Sequence, residues 1–188
     1  MSSKRALRAT MTTLVRALTP EQREASSART RETLLAHPNL RARGLVLLYL
    51  ADDREPSVDA LVGELLERGQ RIALPRMDWD ARMIVPVEIA TPALVTEVRR
   101  HGIREPIEGP VAGFDEIGCV VVPGVAFDAR GGRLGRGAGF YDRFLARLSP
   151  SARTIGVGFA CQGVERVPTE EHDRMLDEVL LDGRSIIR

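Results

Sequence analysis

At 188 residues the chain has the size of one domain and can bury a core without disulfide staples. Hydrophobic residues make up 44% and charged residues 28%, which excludes a disordered, collagenous or membrane-embedded protein. Lys+Arg 27 against Asp+Glu 26 leaves a formal charge of +1, so no global field draws the chain to nucleic acid or a membrane, and any basic site must be local.

Leu7, Met11, Leu14, Val15 and Leu18 recur at spacings of three and four and predict a first helix from about Ser3 to Leu18. The same stretch carries Lys4, Arg5, Arg8 and Arg16 with no acid before Glu21, a composition shared by transit peptides and by basic helices that belong to a fold. Thr19, Pro20 and Gln22 supply an N-cap, a first-turn proline and a capping-box partner for a second helix to about Ala36, which His37-Pro38 ends. Gly44 to Leu50 is an apolar run of strand length. Val58, Leu61, Val62, Leu65 and Leu66 then follow helical spacing up to Gly69, and Arg71 to Leu74 reads as the next strand. This strand, helix, strand unit of about 30 residues is the kind that builds a parallel sheet. Arg82 to Ile89 predicts another strand. A second unit runs from Cys119 to Val122, through a glycine-rich loop and a helix from about Gly139 to Leu148, to a strand from Thr154 to Phe159. Val179 to Leu181 predicts a last strand.

Fully apolar strands alternating with amphipathic helices imply an α/β fold, an open and mostly parallel sheet with helices on both faces. No repeat or linker divides residues 1–188, so a single domain is expected. The longest apolar run, Ile117 to Phe127, is broken by Gly118, Pro123 and Gly124 and falls short of a membrane span of about 20 residues. Cys119 and Cys161 lack metal or redox spacing and read as buried thiols, and His37, His101 and His172 read as surface residues.

Ligands of such folds sit outside the carboxyl ends of the strands, which singles out the loops after Leu50, Leu74, Val122 and Phe159. Between Gly131 and Gly139 the chain has five glycines in nine residues, with Arg133 and Arg136 among them. Without a Cβ, successive amides can converge on an anion, while the arginines and a following helix add positive charge, so the run reads as a phosphate cradle. Glycines in a mobile surface loop are the other reading. The run has neither the Lys-Ser/Thr of a Walker loop nor dinucleotide-binding spacing. Asp142 follows in the first helical turn. A carboxylate there suits the helix dipole, but beside a polyphosphate it would be repelled unless a divalent cation bridged the two.

The run from Val121 to Leu145, with PGVAFD and RLGRGAGFYD, resembles the signature of the 5-formyltetrahydrofolate cyclo-ligase family. Lys4 with Arg8, Tyr49 to Glu55, Leu74-Pro75-Arg76, Gly102-Ile103-Arg104-Glu105-Pro106 and Asp173 to Val179 fall in that family's order. The resemblance implies ATP-dependent closure of 5-formyltetrahydrofolate to 5,10-methenyltetrahydrofolate with release of ADP and phosphate, magnesium as cofactor, and a cytoplasmic enzyme. It also implies a mechanism in which the formyl oxygen attacks the γ-phosphate, and nitrogen 10 then closes on the iminium phosphate before phosphate leaves. By matched position, ATP contacts fall on Lys4, Arg5, Arg8, Arg133, Leu134, Gly135, Arg136, Gly137, Ala138, Gly139, Phe140 and Tyr141. Arg133, Arg136 and Tyr141 carry the catalysis. Folate contacts fall on Leu50, Glu55, Gly135, Gly137 and Gly139, and magnesium on Asp142 and Asp173. A nucleotide site that uses Lys4 and Arg8 argues against a cleaved transit peptide. Phe140 departs from the tyrosine that many relatives carry, and Ala138 replaces a longer polar residue. The other functions considered are a non-catalytic nucleotide- or folate-binding relative and a phosphosugar isomerase or transferase of similar architecture.

Overall fold

The computed structural model describes residues 3–41, 44–91, 96–98, 102–170 and 173–187. Helix α1 (Lys4–Arg16) starts where the Ser3 hydroxyl accepts from the Ala6 amide, and it buries Leu7, Met11 and Val15. Helix α2 (Pro20–Ala36) opens on the expected reciprocal capping box between Thr19 and Gln22. Its buried face is Ser26, Ser27, Thr30 and Leu34 rather than an apolar stripe, and side-chain bonds help to fasten it. The Ser27 hydroxyl accepts from the Ser57 amide at 2.9 Å, and the Ser26 hydroxyl donates to Asp182. His37 is not a surface residue: with its side chain 12% exposed, its Nε2 donates to Glu178 at 2.9 Å. His101 and His172 lie outside the described residues. A single turn, α3 (Pro38–Arg41), follows.

The remaining elements are β1 (Leu45–Leu47), α4 (Asp59–Glu67), β2 (Ile72–Asp78), β3 (Met83–Ile89), β4 (Thr96–Val98), β5 (Arg104–Pro106), β6 (Ile117–Pro123), β7 (Ala126–Phe127), β8 (Arg133–Leu134), α5 (Phe140–Leu145), β9 (Arg153–Gly158), β10 (Glu178–Leu181) and β11 (Arg184–Ser185). The central sheet has the order β11-β10-β9-β6-β1-β2-β3. Its interior pairs are parallel, and the edge strands β3 and β11 pair antiparallel. Val46, Val121 and Ile155 pack on one face with Leu34, Leu61 and Leu65 from α2 and α4. Leu45, Leu47, Val120 and Val122 pack on the other with Phe127, Phe140 and Phe144. Each of these large side chains contributes about 1.5–3 kcal/mol when fully buried, and burial on both faces accounts for the unbroken apolar runs.

Strand β2 runs on to Asp78, past the expected end at Leu74, because β3 pairs along its whole length with Pro75 opposite Pro86. Proline is tolerated on an edge strand such as β3. Helix α5 stops at Leu145 rather than Leu148. The stretch expected to be all loop contains β8, which pairs with β7 and sets Leu134 against Leu7 and Met11 of α1. The β4/β5 ribbon and β11 have only two or three residues per strand, too few to leave a periodic signal. Cys119 is buried and Cys161 partly so, and both are free thiols.

From β1 the chain adds β2 on one side and later β6 on the other. That reversal leaves a crevice at the carboxyl ends of β1 and β6, where open α/β sheets bind their ligands.

Candidate active site

The crevice is a cleft of about 540 Å³. The end of β1 gives it Leu50, Ala51, Asp52 and Glu55, and the β2/β3 hairpin gives Pro75, Met77 and Trp79. The β5 side adds Gly102, Ile103 and Arg104, and the glycine-rich segment adds Arg133, Gly135, Arg136 and Ala138 to Asp142. A smaller pocket of about 190 Å³ opens beside it against α1, lined by Arg8, Met11, Thr12, Val15, Val125 and Gln162 together with Arg54, Gly124 and Arg136. The last three residues line both cavities.

On the α1 side, Arg8 Nε donates to the Gly135 carbonyl at 2.8 Å and so ties the helix to the glycine-rich segment. Lys4 Nζ lies 2.9 Å from Asp173 and 3.0 Å from Glu170. Arg5 is exposed on α1. Leu134 is 2% exposed and packs in the core beneath α1, so its side chain is withheld from ligand and only its backbone is available. Gly137 has φ +108° and Gly139, the N-cap of α5, has φ +70°. L-residues with side chains rarely adopt these values, and this is the physical reason for glycine at both positions.

Arg133 is the most enclosed cation of the cleft, its side chain 3% exposed. It pairs with Asp142 at 2.5 Å and lies 5.6 Å from the Tyr141 ring centre, while its Nε has no partner. Burial and the nearby Glu55 charge push the Tyr141 phenol up, so it stays protonated as a donor. Phe140, 7% exposed, meets Trp79 edge to face at 5.0 Å. Glu55 has a side chain 11% exposed and pairs with Arg136 at 2.7 Å. Burial pushes its carboxyl up to about 7; Arg136 opposes the rise and Asp52 adds to it. The buried Tyr49 hydroxyl donates to the Pro56 carbonyl and holds the loop that presents Glu55.

The two carboxylates expected to hold magnesium are engaged with different cations, Asp142 with Arg133 and Asp173 with Lys4. Among the described residues no three His, Cys, Asp or Glu side chains are gathered as a metal cage. A magnesium ion that keeps waters and phosphate oxygens needs only one or two carboxylates. Asp142, on the cleft wall beside the glycine-rich segment, suits that role.

Asp52 and Arg54 lie in the quoted Tyr49 to Glu55 segment, to which the resemblance gives the folate side, but received no individual role, and Met77, Trp79, Arg104 and Gln162 were not assigned to the site. Trp79 carried a usable signal, being the single tryptophan of a chain with 4% aromatic residues. Arg104 lies within the quoted Gly102 to Pro106 segment, where it donates to the Ala51 carbonyl at 2.7 Å and pairs with Asp59.

A family model described as the 5-formyltetrahydrofolate cyclo-ligase family matches residues 1–182. The chain is 32% identical to the 5-formyltetrahydrofolate cyclo-ligase of Escherichia coli K12 over 174 residues, 90% of this chain and 94% of that one. It is 27% identical to the mouse protein of that name, over 96% and 94% of the two chains. Among solved structures, the 5,10-methenyltetrahydrofolate synthetase of Aquifex aeolicus superposes with a TM-score of 0.83 at 30% identity, covering 97% of this chain and 91% of that one. A Mycoplasma pneumoniae synthetase of the same name shares the fold with a TM-score of 0.77 at 22% identity, covering 97% and 100%. With a match along almost its whole length and a shared architecture, this chain belongs to the 5-formyltetrahydrofolate cyclo-ligase family.

Proposed function

We propose that the larger cleft takes 5-formyltetrahydrofolate, that the pocket against α1 takes ATP, and that the two react where the cavities meet at Arg136. The shared lining of Arg54, Gly124 and Arg136 is the observation that carries this reading, because a phosphoryl acceptor and its donor must come into contact. Trp79, Phe140 and Met77 offer apolar walls to a pterin ring, and Glu55 offers a carboxylate to its amino and ring N–H groups.

A formamide carbon is a weak electrophile and its oxygen a poor leaving group, so ring closure by nitrogen 10 needs prior activation. Attack of the formyl oxygen on the γ-phosphate makes that oxygen a phosphate ester, releases ADP and leaves an iminium carbon. Nitrogen 10 then adds to that carbon and gives up its proton, which leaves with the departing phosphate as the methenyl bridge forms. The protein orients the two substrates and offsets charge, as in other phosphoryl transfers. Arg133 is held rigidly by Asp142 with one N–H unpaired, and it faces the phosphoryl group together with Arg136. The loop amides at Gly135, Gly137 and Gly139, with Arg8 and Lys4 behind them, hold the remaining phosphates. The Tyr141 phenol, kept neutral by burial, donates to an anionic oxygen. Asp142 would hold magnesium, which supplies positive charge against the phosphates when bound. The test is phosphate release in the presence of magnesium-ATP: release that depends on added 5-formyltetrahydrofolate is expected, and equal release without the folate would contradict the reading.

A further inference from the structure

Where the two cavities meet, four side chains form a ladder of alternating charge. Arg54 Nη2 lies 2.5 Å from Asp52, the same Asp52 oxygen lies 2.7 Å from Arg136 Nη1, and Arg136 Nη2 lies 2.7 Å from Glu55. The Asp52 amide also donates to the other Glu55 oxygen at 3.3 Å. Arg136 stands on an exposed part of the glycine-rich segment, and it is carboxylates from a different loop that fix its direction. A guanidinium held by two prongs on two carboxylates is placed far more tightly than one held by a single prong.

The reading proposed above makes two demands on this cluster: Arg136 must meet phosphate, and Glu55 must turn to the pterin. If Glu55 were the only carboxylate on Arg136, the pair would close on itself, and each ligand would have to break it. With Asp52 on the other prong, the Glu55 pair can open without freeing Arg136, because the guanidinium keeps one prong anchored while the other is exchanged. We propose that Asp52 is a positioning residue of the reaction, anchoring Arg136 at the junction of the two cavities so that Glu55 is released to the folate and the second guanidinium prong to phosphate. The inference rests on the assignment of the two cavities made above.

The charges around Glu55 are few. Asp52 and Arg54 face it from its own loop, Tyr49 from the end of β1, and Arg136 and Tyr141 from the glycine-rich segment and α5. Burial keeps both phenols protonated, so Asp52 is the anionic neighbour that holds the Glu55 carboxyl up near 7 in addition to burial. Removing that charge lowers the pH at which Glu55 ionises.

The test is steady-state formation of the methenyl product by the wild type, Asp52→Asn and Asp52→Glu from about pH 5.5 to 8.5. Folate is varied at saturating magnesium-ATP and then the reverse, with thermal unfolding measured alongside. Asp52→Asn is expected to move the midpoint of kcat/KM for folate to lower pH and to raise KM for both substrates roughly ten-fold, with a smaller fall in kcat. Asp52→Glu keeps the charge one methylene away, and is expected to hold the wild-type midpoint with intermediate KM values. An unchanged midpoint in Asp52→Asn would overturn the proposal, as would an Asp52→Glu enzyme indistinguishable from Asp52→Asn in midpoint and KM. Asp52→Ser replaces the Asn variant if that protein does not fold, with the same expected and overturning results. A wild type that forms no product at any pH would instead sink the assignment of the cavities.

Discussion

Asp142 carries one charge for two purposes: it is the counter-charge of the buried Arg133, and in the function proposed above it is the cleft carboxylate that would hold magnesium. Asp142→Asn removes that one negative charge while keeping the shape, so turnover is expected to fall about 10²-fold or more, in a protein that still folds but is less stable because the buried Arg133 loses its counter-charge. Thermal unfolding and magnesium titration of the rate check this, and unchanged turnover with unchanged magnesium dependence would reduce Asp142 to a helix-end residue. Phe140 presents a different case. Its ring is packed edge to face on Trp79 and lines the cleft, so the hydroxyl of a Phe140→Tyr variant would join a wall of the site. A modest gain is expected, a two- to ten-fold rise in kcat/KM for one substrate, the effect of a new hydrogen bond of about 0.5–1.5 kcal/mol. A loss of activity at unchanged stability would show that the site has adapted to the bare ring. At this scale the sequence was legible where chemistry is unusual. The glycines crowded between Gly131 and Gly139 marked a segment that the structure sets on the wall of the cleft, whereas the partners of its arginines did not show. Nothing in the spacing of Asp52, Glu55 and Arg136, up to 84 positions apart, foretells that they share two ion pairs.

Helices carried the clearest element signals. The capping box at Thr19 and Gln22 set the start of α2, and the stripe of Leu7, Met11 and Val15 set the buried face of α1. Short strands gave no such signal. The β7/β8 ribbon turns an apparent loop into a platform, and Arg8 fastens α1 to it through the Gly135 carbonyl. The basic N-terminal stretch is therefore a working part of the structure, in which Lys4 lies against Asp173 and Glu170. Lys4→Ala is expected to weaken ATP binding several-fold and leave folate affinity nearly unchanged if, as proposed, its charge serves the phosphates from the α1 side, since Lys4 does not line the folate cleft. Isothermal titration of each ligand separately decides it, and equal losses for both ligands would mean that Lys4 only holds α1 in place.

For the whole molecule, alternating apolar strands and helices were enough to expect a mostly parallel sheet covered on both faces. Strand order was not legible, because it depends on which buried strands pair across long separations, and Val46 finds Ile72 on one side and Cys119 on the other. That order nevertheless positions the site, since the reversal at β1 opens the crevice between Ala51 and Gly124. The ribbon of β4 and β5 closes one wall with Val98, Ile103 and Arg104, a contribution invisible in segments of three residues. Among the described residues no helix is long and apolar enough to cross a membrane.

The central claim is that one crevice brings a formyl folate and ATP together and closes a ring. Its most direct test is the near-ultraviolet absorbance of the methenyl product, followed with purified protein while 5-formyltetrahydrofolate, ATP and magnesium are omitted in turn. Product is expected only when all three are present, and it should disappear when Arg136, which lines both cavities, is replaced by alanine in a protein that still folds. Product formed without ATP, or no product under any combination of nucleotide and metal, would contradict the account.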